Sequence, residues 1–362
     1  MLVPGLACFT RDDRTLQLGV EPPHALLLQG AGAGHARVLR CLDGSHDRHA
    51  LQSVAARSGV TAAQLDDLLE LLAMHDLLVP AETLTRSADR CPEDLARLAP
   101  DRTSLALRHS HSPEGGWERA RLALARRRTS WVEVYGAGRV GAGVAALVAA
   151  AGVGRVSVVD DRRCQNDDVA PLGPPRALVG STRAVAASAG PAMFCDVRGA
   201  PAEPARAPDL CVLAPDAGPS AVLAAVWARR SEPHVLAYVR ETLGVVGPLI
   251  VPGRTTCLRC LDLHRRDRDP AWPRVAAQLA DGLAVRACDV GLATMVAAQC
   301  ALQVTAFLDC DEISALAATL ETHLPGGLTR RRAWPPHPAC GCLWAAALPP
   351  EPDASAQPTA AR

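Results

Sequence analysis

The stretch Trp131–Asp161, WVEVYGAGRVGAGVAALVAAAGVGRVSVVDD, decides the fold of this chain. WVEVY has the apolar, aromatic character of a buried strand. Gly136-x-Gly138-x-x-Gly141 follows it, then a small-residue helix, and then RVSVVD, a second strand that ends at Asp160. Each glycine has a mechanical reason. Gly136 makes the tight turn, Gly138 lets the backbone approach a phosphate, and Gly141 lets helix and strand pack closely. The helix N-terminus offers unpaired N–H groups and the positive end of its dipole to an anion. Asp160, about twenty residues beyond the loop, ends its strand where a carboxylate can accept from ribose hydroxyls. The expectation is a nucleotide-binding α/β fold.

The alternation continues outward. Helix STRAVAASA, strand DLCVLAP, helix PSAVLAAVWARR and strand HVLAYVR predict a doubly wound, Rossmann-like sheet, and GVVGPLIVPG turns back as an extended segment. Helices around Pro273–Ala280 and Asp289–Leu308 and a hairpin from ALAATLETH and GLTRRRAW complete a domain over residues 131–346. Residues 347–362, rich in Pro, Ala, Asp and Ser, read as a disordered tail.

Upstream, residues 1–82 read as a separate winged-helix-like α+β unit. TLQLGV and ALLLQG flank Glu21-Pro22-Pro23-His24 as a hairpin, and three helical patterns follow. Thr61 and Gln64 form a capping box before the third, which places Leu65, Leu68, Leu69 and Leu72 on one face. Residues 1–80 carry six Arg against nine Asp plus Glu, a surplus of three negative charges. That charge argues against a DNA groove reader, which needs a cationic face. A winged hairpin can instead offer a strand edge to a peptide. Residues 83–130 read as a linker or adaptor, with SLALRH as a strand and WERARLALARRR as a basic amphipathic helix whose Arg126–Arg128 run is solvated.

Composition excludes several functions. Formal charge balances at 38 basic and 38 acidic residues, so no global field recruits nucleic acid or anionic membrane. The chain has no lysine, which removes Walker-A phosphate binding, Schiff bases and lysine acid–base chemistry. MLVPGLACFTRDD lacks the basic and apolar regions of a signal peptide, and no apolar run is expected to reach membrane-spanning length. A cytoplasmic location follows, where the 13 cysteines stay reduced and clustered ones serve as ligands. Cys257-x-x-Cys260 and Cys340-x-Cys342, brought together, would supply the S4 shell of a structural zinc. A redox dithiol would want its CxxC at a helix start beside a strand in a thioredoxin-like unit, a context the sequence does not suggest. Cys8, Cys41, Cys91, Cys164, Cys195, Cys211, Cys288, Cys300 and Cys310 are scattered and read mostly as small buried hydrophobes.

The GAGxxG loop, the strand ending in Asp and the later cysteine pairs together resemble the ThiF/MoeB and ubiquitin-activating superfamily over roughly residues 131–343. Segments GPLIVPGRTTCLRCLDLHRRDRDPAW and PACGC, with the winged unit, look more narrowly like the ThiF-like, leader-peptide-binding proteins of thiazole/oxazole-modified peptide biosynthesis. The resemblance implies a wing that captures a precursor's leader peptide, a YcaO-type cyclodehydratase as partner, and a homodimer. It also implies an ATP/Mg2+ site built on Gly136, Gly138, Gly141, Asp160, Arg183 and Asp216. There the chain departs from the family. Asp-x-Asp becomes Asp160-Asp161-Arg162, and Asn-Leu-x-Arg-Gln is replaced by the stretch around Asp167–Gly173, with Asn166 out of place. Arg183 stands near the phosphate lysine's position, and its planar fork is no neutral swap for an ammonium. Losing two transition-state cations at ~3 kcal/mol each would leave adenylation degenerate. The alternative is an active adenylyltransferase acting on the C-terminal carboxylate of a sulfur-carrier-like protein or peptide. A nucleotide-linked oxidoreductase is a third class, to which a late cysteine quartet is foreign.

Overall fold

The computed structural model describes residues 1–3, 5–20, 25–79, 96–110, 112, 115–197, 206–216, 218–280 and 287–343. The Glu21–His24 turn, most of the expected linker, Cys91 and the tail beyond Leu343 lie outside these residues. The chain divides into two compact units, Met1–Arg126 and Arg127–Arg362.

In the first unit, β1 (Cys8–Asp12), β2 (Thr15–Leu18) and β3 (Leu26–Gln29) form an antiparallel sheet in the order β1-β2-β3. The β1 strand was not foreseen, because CFTRD is exposed along most of its length and shows no apolar alternation. Helices α1 (Ala33–Arg40), α2 (Arg48–Arg57) and α3 (Ala62–Met74) follow. Asp47 caps α2 through the Ala50 N–H, and the Thr61–Gln64 capping box starts α3. Leu65, Leu68 and Leu72 bury their side chains in a core with Leu16, Leu18 and Leu28 from the sheet, while Leu69 is only half-buried. Leu72 is fully enclosed, so Leu72→Ala is expected to cost about 2–5 kcal/mol, read as an earlier midpoint in urea unfolding.

Residues 99–108 overturn an expectation. SLALRH lies in helix α4 (Ala99–Arg108), not in a strand. Four alternating residues cannot distinguish the two states, and Pro100 in the first turn favours a helix start. Leu105 and Ala106 share a small core with Val3, Val79, Trp117, Ala120 and Ala123, the last three from α5 (Gly116–Thr129). The first compact unit therefore runs well past residue 82.

The second unit is built on an eight-stranded sheet in the order β11-β10-β9-β8-β7-β4-β5-β6. β4 (Trp131–Tyr135), β5 (Arg155–Val159), β6 (Asp196–Val197), β7 (Leu210–Leu213) and β8 (His234–Arg240) are parallel. β9 (Leu243–Ile250), β10 (Ala318–His323) and β11 (Leu328–Ala333) pair antiparallel, so the sheet is mixed. On one face lie α6 (Arg139–Ala150) and α11 (Val290–Asp309). A Cβ on Gly143 would stand 2.9 Å from the Ala297 methyl, so the small residues of α6 set how closely the two helices approach. The opposite face carries α8 (Ala221–Trp227) and α9 (Leu258–Arg268), which bury Trp227 and Leu258 against Leu213, Leu236 and Tyr238. Two more helices, α7 (Arg183–Ser188) and α10 (Trp272–Ala280), complete the set among the described residues.

Two further expectations change here. Helix α11 has 20 residues and is apolar enough to cross a membrane by length and composition, with half of its most apolar window buried as it packs on α6, β8 and β9. Arg127, within a run expected to be solvated, is 5% exposed and forks onto Asp309, which is fully buried at the end of α11. Its third nitrogen donates to the Ala151 carbonyl.

Candidate functional site

The glycine loop folds as its residues require. Gly136 has φ +93°, and a Cβ there would stand 2.2 Å from the Ala214 carbonyl oxygen. Gly138 is the N-cap of α6. A Cβ on Gly141 would meet the Gly136 carbonyl at 1.8 Å, so helix and loop touch only because it is absent.

What faces this loop is a closed set of ion pairs. Asp160 is 8% exposed, and its carboxylate accepts from the Ala137 N–H of the loop at 2.9 Å. Arg162 forks over the same carboxylate at 3.0 and 2.8 Å and reaches Asp216 with its third nitrogen at 2.5 Å. Burial would raise the Asp160 pKa, but the Arg162 and loop N–H contacts outweigh it and hold the carboxyl below its ordinary value. Arg183, 2% exposed at the start of α7, forks onto Asp168 at 2.8 and 2.5 Å and touches Asp216 at 3.0 Å. Arg139 donates to the carbonyls of Asp167 and Cys288.

The structure thus brings Gly136, Gly138, Gly141, Asp160, Arg183 and Asp216 together in one place. Sequence reading missed Asp168, whose carboxylate holds Arg183, and gave Arg162 too small a part. Asp168 sits on a 3-10 turn, Asn166–Asp168, and its only signal was its place in the stretch where the family motif breaks down. Among the described residues the carboxylates of Asp160, Asp168 and Asp216 meet the guanidiniums of Arg162 and Arg183, with Asp167 and Arg139 at the rim. The cavity beside Gly138, Asp168 and Asp216 is ≈ 60 Å³, room for on the order of five waters. Among the described residues a triphosphate entering there would meet no surplus positive charge, and it would have to break strong forked pairs to reach Arg162 or Arg183.

The second site is the cysteine quartet. Cys257 is the N-cap of α9, Cys260 lies in its first turn, and Cys340 and Cys342 follow β11. All four sulfurs lie within 4.8 Å of one another, with Cys257–Cys340 at 3.4 Å and Cys260–Cys342 at 3.5 Å. A tetrahedral zinc–thiolate shell separates its sulfurs by about 3.8 Å, so the thiols fit such an ion. The Cys260 thiol is pushed down to about 4, first by the Cys257 thiol and also by the N–H of His337. The CxxC starts a helix after β9, a strand of the eight-stranded mixed sheet. Convergence of a second cysteine pair is what distinguishes it from a redox dithiol. Of the other described cysteines, Cys164, Cys211 and Cys300 are buried, Cys8, Cys41, Cys195 and Cys288 are half-buried, and Cys310 is exposed.

No protein-family model and no curated protein matches the chain. Solved structures do. Escherichia coli MccB with ATP is similar with a TM-score of 0.64 at 15% identity, over 95% of this chain and 99% of that one. The microcin C7 biosynthetic enzyme MccB in complex with N-formylated MccA gives 0.66 at 13% identity, over 95% and 99%. The likeness is one of fold. PaaA is similar at 0.66 and 15%, over 91% of this chain and 98% of that chain. The likeness to MccB and PaaA extends over both units of this chain and agrees with the expected α/β fold.

Proposed function

We propose that this chain is a ThiF-fold peptide-recognition protein of ribosomal-peptide modification whose own adenylation site is degenerate. The observation that carries this reading is the commitment of Arg162 and Arg183 to Asp160, Asp168 and Asp216 beside the glycine loop. In acyl-adenylate formation those cations would have to serve the phosphates instead.

In this reading the first unit acts as a winged-helix-like wing that takes the leader of a precursor peptide by strand addition. Among the described residues β1 and β3 each pair only with β2, which leaves each with one edge for such an addition. The second unit is the body that docks a YcaO-type cyclodehydratase and a second copy of itself. Cys257, Cys260, Cys340 and Cys342 would hold zinc. An ion with four protein ligands keeps no open position, so it joins α9 to the segment after β11 and takes no part in chemistry.

A second reading has its own support. MccB has been solved both with ATP and with N-formylated MccA, and in this reading the chain would adenylate a peptide or carrier-protein carboxylate. ATP–pyrophosphate exchange separates the two. With a candidate precursor peptide present, exchange is expected to stay at the enzyme-free background, in wild type and in Asp216→Asn alike. Clear peptide-dependent exchange that Asp216→Asn abolishes would establish adenylation and end the first reading.

A further inference from the structure

The two arginines that are buried among the described residues, Arg127 and Arg183, are each neutralised by a forked carboxylate. One group is treated differently. The indole of Trp334, 5% exposed and tied to Thr319 by its N–H, is surrounded by the guanidiniums of Arg332 at 4.3 Å, Arg268 at 5.7 Å and Arg265 at 5.9 Å. Among the described residues the carboxylates within 4 Å of them are Glu321, 4.0 Å from Arg332, and Asp262, 3.7 Å from Arg265, both beyond hydrogen-bonding reach. One terminal nitrogen of Arg265 is buried with no hydrogen-bond partner among the described residues. Arg268 is itself exposed, and partial desolvation first, then Arg332 and Arg265, hold it below the ordinary guanidinium range. With Arg330 on the same strand face, four guanidiniums stand against two carboxylates. Like charges gathered on an aromatic surface and left without forked partners are arranged for an anion that is not part of this fold.

The backbone beside them is open. β11 is the edge of the eight-stranded sheet and pairs only with β10 among the described residues. Thr329 and Arg331 turn to the α11 side, where Thr329 meets Gln299, and Arg331 donates to the Ser314 carbonyl. Arg330 and Arg332 share the opposite face with Trp334. Side chains two apart on a strand repeat every ~7 Å, so a polypeptide added along β11 would present its own alternate residues at the same spacing.

The geometry points to β11 and the Arg265–Arg268–Arg332 cluster as a docking edge for an acidic, extended segment of a partner protein. Backbone hydrogen bonds to the edge hold the segment, and alternate Asp or Glu side chains take the guanidiniums. The surface belongs wholly to the second unit and is independent of the wing.

Fluorescence anisotropy with the full chain tests it. A short labelled peptide alternating Glu and Thr is expected to bind, more weakly as salt rises, while its Lys–Thr counterpart does not. Arg268→Gln with Arg332→Gln should weaken binding by about tenfold or more. Arg330→Gln, exposed and free of packing consequences, should weaken it about threefold with the melting temperature unchanged. Unchanged affinity in Arg330→Gln, no binding of the acidic peptide, or equal or tighter binding of single-stranded DNA of the same charge would each overturn the assignment.

Discussion

Cys257→Ser is expected to strip the protein of its metal and to lower its stability by several kcal/mol. The thiol is the N-cap of α9 and stands 3.4 Å from Cys340, which lies 83 residues later in the chain. An ion bound by all four sulfurs therefore closes a long loop and fixes the start of a helix with one contact. Apparent metal-binding free energies in small zinc domains reach about 10–16 kcal/mol. The second unit has a large core of its own and would not lose that much. A loss of about 4 kcal/mol would shift the melting temperature by roughly 8–16 °C at this size. Metal analysis should find zinc in wild type at one ion per chain and little in the variant. Cys310→Ser, at an exposed thiol away from the quartet, should keep both metal and stability. Wild-type protein purified without chelator and free of metal would refute the ligand assignment.

Arg127→Met is expected to cost about 3–5 kcal/mol, because it leaves the Asp309 carboxylate buried without its cation. The side chains of the pair are 6% and 1% exposed, and the two forked contacts measure 2.9 and 2.6 Å. The informative measurement is a double-mutant cycle in urea. Asp309→Leu combined with Arg127→Met should recover most of the loss, since an apolar pair of similar volume avoids the desolvation that the ion pair must offset. Additive losses in the double variant would mean that the two side chains do not act as a pair. The Ala151 carbonyl, which also accepts from Arg127, would lose that donor and sets a floor on the recovery.

Much of the second unit was legible because its decisive contacts are local. The turn at Gly136, the close approach at Gly141 and the arrival of Asp160 beside the loop all occur within a single strand–helix–strand unit. The Thr61–Gln64 capping box is legible for the same reason, since its partners lie three residues apart. Residues 104–109 were not, because a short apolar alternation fits either state until packing against Val3, Val79 and Trp117 selects the helix. The partner of a charged side chain was less legible still. Nothing near Arg127 in sequence announces Asp309, 182 residues away, and nothing near Arg162 announces Asp216, 54 residues away.

The amino-acid sequence alone determined the glycine loop, the order of the α/β elements, the absence of lysine and the presence of two short cysteine pairs. Tertiary structure decided what these parts face. It closed the quartet to within 4.8 Å and filled the phosphate side of the loop with forked Asp–Arg pairs. Among the described residues it also left the arginines around Trp334 without forked carboxylates. The reason is physical. Backbone conformation responds to neighbours a few residues away, whereas the environment of a charge depends on chain segments that only the completed sheet brings together.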